Sequence, residues 1–259
     1  LLYERKKILI TVKTYPNPSR KYGETVCCAG IDLAKNQWIR LYPIPYRDLD
    51  DESKFQKYSI IEVDCAKQNI DHRPESYRPK ICTIRKHEWL DPKANWAKRK
   101  AFVLRLPALS MCQVSKESRL ERPSLALIKP ERVSFQAEKQ TPPNRRSRDA
   151  SYKQLSLFNK QKKPLEQIPY EFYFNFFCKD EPSCQGHRLS IIDWEIVQAF
   201  RKWRWKYHSD EEVLKKIKQR WEENTNTAKK DVYFYVGNMK RLPDTFMVLG
   251  VFYPPVANR

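Results

Sequence analysis

The sequence predicts an α+β protein: an N-terminal β-barrel-like part, OB- or PUA-like in outline, followed by a C-terminal helix pair and closing β-strands. Three observations predict it. Short apolar runs bounded by turn residues crowd the first third of the chain. A helical period takes over after residue 190. Two aromatic and β-branched runs come after the helices. The order β…α…βααββ does not alternate as a doubly wound sheet would.

Taken in order, residues 7–13 form a strand-like run that stops at the turn-rich stretch 15–19. Residues 25–31 and 37–42 flank a polar loop of hairpin length. Residues 59–65 and 80–84 add two strands around a charged loop, 71–79, fixed by Pro74 and Pro79. Residues 96–106 read as a helix and 131–139 as a short element. Between 140 and 165 there are seven Lys/Arg and one acid, Asp149, which reads as a basic linker. This divides the chain into a β-rich part (1–139), the linker (140–165) and a C-terminal part (166–259) packed on the first. Residues 170–177 are too aromatic to lie exposed. Ser190 with Asp193 at N3 opens a helix to about Tyr207, and the capping box Ser209–Glu212 opens a second to about Glu223. Residues 232–236 and 245–252 read as a final strand pair.

Composition narrows the function. Fifty Lys+Arg against 31 Asp+Glu give a net charge of +19, which suits a phosphate-rich partner. The five glycines are too far apart for a Walker A loop or a dinucleotide fingerprint. No stretch of about 18 apolar residues exists to span a membrane. Seven cysteines without a regular framework predict free thiols and a reducing compartment, the cytoplasm. No G-x-S-x-G stretch supports a serine hydrolase.

At helical spacing, Ile192, Ile196, Ala199, Phe200, Trp203 and Tyr207 form a core stripe. Opposite it lie Trp194, Gln198, Arg201 and Trp205, with Lys202 beside them. Aromatic faces stack on bases and cations hold phosphates, so this face is the leading nucleic-acid surface. A second layer of protein over the same face would explain it equally well. Arg145, Arg146 and Arg148 in the linker, and Arg40 between Trp38 and Tyr42 on one strand face, add phosphate contacts. The expected function is nucleic-acid binding, DNA or RNA, as a non-catalytic subunit or sensor within a larger protein assembly.

Cys178, Cys184 and His187 bring three zinc-ligand types into ten residues. Pro182 and Gly186 suit a short knuckle, and a further cysteine such as Cys112 would complete a set of four. Simple loop cysteines are the competing reading. His187, Asp193 and Glu195 also raise a metal-dependent nuclease as an alternative, with Glu62, Asp64 and Asp231 as further carboxylates. A regular helix would splay Asp193 and Glu195 apart, which counts against it. A third reading makes the tryptophan face a protein-docking scaffold.

Overall fold

The computed structural model describes residues 2–19, 23–67, 71–116, 123–141, 168–179 and 181–256. Strand β1 (Glu4–Lys13) explains the architecture. Its run Ile8–Val12 is buried without alternation, as expected of a strand covered on both faces. Ile8 and Ile10 point into one core, whereas Leu9 and Val12 point into another. β1 pairs antiparallel with β3 (Gly23–Asp32) and β5 (Ser59–Lys67). The short β2 (Asn17–Ser19) extends β3. Gly30 is required at the β1–β3 crossing, since a Cβ there would lie 2.1 Å from the Leu9 carbonyl oxygen.

β4 (Gln37–Ile44) follows β3 antiparallel, and β6 (Ser76–Pro79) joins β4 in parallel and β5 antiparallel. The path β1–β3–β4–β6–β5 thereby returns to β1 and closes a five-stranded barrel, in line with the predicted outline. Ile8, Ile10, Val26, Ile39, Leu41, Ile61 and Val63 fill it. Two local predictions fail here. Residues 80–84 contain a 3-10 turn, Ile81–Thr83, and the neighbouring strands are β6 and β7 (Arg85–Trp89). Pro79 closes β6, and β7 pairs along β5, with all five residues exposed and Trp89 the one apolar residue among them, so no apolar period marks it.

Helix α1 (Lys93–Val103) enters through left-handed residues Ala94–Trp96. β8 (Ala108–Leu109) and α2 (Met111–Lys116) follow. β9 (Leu125–Ile128) and β10 (Pro130–Lys139), grouped by composition with the N-terminal part, pair with later strands. β11 (Tyr170–Cys178) lies between β10 and β12 (His187–Ser190). β13 (Tyr233–Met239) lies between β9 and β14 (Leu242–Phe252). Phe174 and Phe234 stack between these two sheets at 4.8 Å.

The helix pair is α3 (Trp194–Trp203) and α4 (Asp210–Asn224). The α3 N-cap is Asp193, whose Oδ1 accepts from the Glu195 N–H (3.2 Å), not Ser190, which sits on β12. α3 ends four residues before the predicted Tyr207. In α4 the cap is as predicted, with Ser209 Oγ accepting from the Glu212 N–H (3.2 Å).

A third core joins the two units. Leu9, Ala29, Ile31 and Ile60 on the barrel exterior meet Leu125, Leu127, Tyr235, Leu249 and Phe252. The Tyr15 N–H also donates to the Ile192 carbonyl (3.0 Å), which fixes the start of α3 against the barrel. No helix among the described residues is long and apolar enough to cross a membrane.

Candidate metal centre

β11 alternates, and its inward residues are Phe172, Phe174, Phe176 and Cys178. The last of them therefore carries its sulfur inward, toward the start of α2, where Cys112 lies. The chain then turns and returns as β12 at His187, with Gly186 at φ 90°, a left-handed conformation that a side chain would strain. Inside this turn, Cys184 Sγ accepts from the backbone N–H groups of Cys178 and Gly186, both at 3.4 Å. Cys112 Sγ lies 3.8 Å from Cys178 Sγ and 3.3 Å from His187 Nε2. The ligand atoms of Cys112, Cys178, Cys184 and His187 all fall within 4.8 Å of one another.

Tetrahedral coordination with Zn–S bonds of ~2.3 Å puts neighbouring sulfurs about 3.8 Å apart. The Cys112–Cys178 spacing matches the edge of such a tetrahedron and is too long for a disulfide; all the cysteines are free. The donor types, three thiols and an imidazole, suit such an ion, although burial raises the Cys112 and Cys178 thiols. Burial pushes the Cys184 thiol up, but the two N–H groups aimed at its sulfur outweigh this and bring it below the usual thiol range. Desolvation lowers the His187 pKa, which keeps the imidazole neutral and able to ligate. The cluster could hold a metal ion. It would tie α2, 66 residues upstream in sequence, to the β11–β12 turn.

The nuclease constellation assembles differently. His187 belongs to the sulfur cluster. Asp193 and Glu195 do converge, because Asp193 is the cap and lies outside the regular helix, but they converge on Lys57. Its ammonium lies 3.1 Å from Asp193 Oδ2 and 3.2 Å from Glu195 Oε2. It occupies the place a divalent cation would need. Gly250 makes room for this pair: a Cβ would meet Lys57 Nζ at 3.1 Å and Asp193 Oδ2 at 3.4 Å. Asp64 is held by Arg5, Glu62 by His87 and Asp231 by Lys129. Sequence reasoning missed Lys57, because a lone lysine before a strand carries no local sign of burial.

The predicted binding residues scatter. Trp194 is half-buried against Tyr15 (5.9 Å) and Tyr46 (5.4 Å), with Lys13 Nζ 4.6 Å from its ring. The second layer over this face is therefore the chain's own barrel. With its amide turned, Gln198 accepts from Trp194 Nε1 (3.1 Å) and Arg201 (3.2 Å). Trp205 lies beyond the end of α3, 83% exposed, among exposed Lys202, Arg204 and Lys206. Arg40, expected on an open strand face, is only 4% exposed; it donates to the Ser124 carbonyl (2.8 Å) and Oγ (3.2 Å). Trp38 beside it packs on Tyr235 (6.0 Å). The C-terminal unit covers this side of the barrel, so Arg40 holds the protein together and does not reach a phosphate. Arg145, Arg146 and Arg148 lie outside the described residues.

The charged loop 71–79 has a fixed conformation. Arg73 grips Asp71 through Nε (2.9 Å) and Nη2 (2.7 Å), and Nη1 donates to the Asn238 carbonyl (3.0 Å). Burial raises the Asp71 carboxyl, but the guanidinium prevails and holds it at about 2, below the ordinary 3.8. A depressed carboxylate contributes stability above its unfolded pKa and loses it as pH falls. Asp71→Asn is therefore expected to flatten the acid limb of a urea-unfolding series between about pH 4 and pH 2, and to cost about 1–2 kcal/mol at pH 7. A variant with the wild-type acid limb would show that the pair is energetically idle.

Residues 4–105 match the family model described as Domain of unknown function (DUF8758), which covers the barrel and α1. Residues 107–259 match a second model, Domain of unknown function (DUF8757), which covers the two sheets, the helix pair and the sulfur cluster. No curated protein matches the chain. The second match spans more than half of the residues, and the chain belongs to the family described as Domain of unknown function (DUF8757).

Proposed function

We propose that this protein binds nucleic acid as a non-catalytic subunit or sensor of a larger assembly. In this reading its C-terminal unit is locked by a structural zinc ion on Cys112, Cys178, Cys184 and His187. One observation carries the nucleic-acid reading: Trp205 stands 83% exposed beside Lys202, Arg204 and Lys206. Tryptophan is usually well covered, and a bare indole among cations suits a stacked base with its phosphates. The net charge of +19 supports it as a long-range attraction. The sulfur and imidazole donors favour zinc over hard cations, and four protein ligands make a closed, structural site.

The test is fluorescence anisotropy of labelled single- and double-stranded DNA and RNA across a salt series. Wild type is expected to bind with a steep salt slope, and Trp205→Ala is expected to lose about 5- to 100-fold in affinity for single strands. Trp194→Ala, by contrast, should lower stability, because its ring packs between the units. Absence of binding at low salt would overturn the reading and make Trp205 a protein-docking residue.

A further inference from the structure

The three thiols of the cluster differ in how readily they can be reached and moved. Cys178 and Cys184 are buried, at 5% and 8% exposure, whereas Cys112 is only partly buried. α2 turns Met111 and Val114 into the core and leaves Cys112 at its rim. Cys112 Sγ and Cys178 Sγ stand 3.8 Å apart, so a closing movement of about 1.8 Å would bring them to disulfide length. Cys184 is the fixed member, since its sulfur accepts from the Cys178 and Gly186 N–H groups inside the turn. The other four cysteines lie in the barrel unit, and of these Cys82 is exposed.

A cysteine that ligates zinc does so as a thiolate, which is also the form that attacks a peroxide. A partly exposed sulfur in contact with a buried one supplies an attacking and a resolving thiol. We propose that the zinc site is a peroxide-responsive switch, in which oxidation joins Cys112 to Cys178 and expels the metal. The Cys112 thiolate attacks the O–O bond of hydrogen peroxide, takes up one oxygen as a sulfenic acid and releases hydroxide. The Cys178 thiolate then attacks the Cys112 sulfur; the S–S bond forms and a second hydroxide leaves. Two electrons have passed from the two sulfurs to the peroxide. Cys184 and His187 remain, and two ligands do not make a closed zinc site, so the ion leaves. The inference rests on the zinc reading above and names the regulation of that site.

One cross-link thereby replaces another. The metal would tie α2 to the whole β11–β12 turn, whereas the disulfide keeps α2 on β11 across 66 residues of sequence and releases Cys184 and His187. Oxidation loosens the turn and leaves the two sheets joined.

In the experiment the full chain, as wild type and as Cys82→Ser, is titrated with hydrogen peroxide after its zinc content has been measured. A chromogenic zinc indicator follows release, and non-reducing peptide mapping by mass spectrometry identifies the bonds. One zinc is expected to leave for each disulfide formed, with the bond between Cys112 and Cys178. Thiol reductant with added zinc should reverse both changes. Cys82→Ser removes the exposed barrel thiol and should behave as wild type. Zinc retained while Cys82 of the wild type is oxidised would overturn the switch and leave the structural zinc intact. Release with a bond between another pair, or with sulfinic acid and no bond, would do the same. Protein that holds no zinc before peroxide is added would overturn the zinc reading, and the switch with it.

Discussion

On the proposed zinc site, Cys178→Ser is expected to abolish metal binding and strongly destabilise the C-terminal unit, the largest effect of any single substitution here. The protein purified without chelator should carry one zinc per chain by elemental analysis, and Cys112→Ser, Cys184→Ser and His187→Ala should each reduce that content. Binding at structural zinc sites supplies ~10–16 kcal/mol in small domains, most of which is folding free energy. The whole of a domain's stability is about 5–15 kcal/mol. The described core of the C-terminal unit is extensive, with Phe172, Phe174, Phe176 and Phe234 stacked between sheets. The loss should therefore appear as a large fall in Tm with residual sheet structure, not as complete disorder. Cobalt substitution gives a second readout: tetrahedral thiolate ligation produces intense visible bands, and Cys112→Ser should weaken them. Metal-free protein of wild-type Tm would refute the structural zinc.

Lys57→Ala is expected to cost about 3–5 kcal/mol, because it strands a buried carboxylate. The Lys57 and Asp193 side chains are only 5% and 3% exposed, and the ammonium is the cation between Asp193 and Glu195. Glu195 is half in solvent and can hydrate itself, so the penalty falls on Asp193. Burial pushes the Asp193 carboxyl up to about 6 from an ordinary 3.8, against the pull of Lys57. A folded carboxyl with a raised pKa binds its proton before the unfolded one does. Its contribution to stability therefore falls as pH rises from about 4 through 6, and the Lys57→Ala deficit should be smaller at pH 5 than at pH 8. Lys57→Met with Asp193→Asn should restore most of the loss, since asparagine still caps α3. Urea unfolding at the two pH values measures all of this; a single variant within 1 kcal/mol of wild type at pH 8, by the same scale, would show the pair to be dispensable.

Much of the fold was legible because burial leaves a period. β1, β3, β4, β5, β11, β13, β14 and both C-terminal helices coincide with runs whose apolar spacing marks them. The α4 cap could be read from four residues. Short elements escaped: β6 lies in a loop rich in charge and proline, and β7 has no buried residue at all. Three of the four residues that could hold a metal ion were legible as a group: Cys178, Cys184 and His187 fall within one turn, whereas Cys112, named from the sequence only as an example of a fourth ligand, arrives from α2 through the packing of the two sheets.

Readable in the residues alone were an α+β chain with a strand-rich first part, a helix with one apolar-aromatic stripe and tryptophan opposite it, and one turn that concentrates sulfur and imidazole. What those features meet is set by the packing of the two units. The same periodicity marks a face as covered whether the cover is a partner or the chain itself. Trp194 and Arg40 thus resemble surface recognition residues until the barrel and the C-terminal unit close over them. Trp205 lies two residues past the end of the helix whose phase, extended, puts it on the same face as Trp194. A chain's pattern records that a position is desolvated, a local property. Which group pays the electrostatic cost, as Lys57 does for Asp193 across 136 residues, is fixed by contacts that no local window contains.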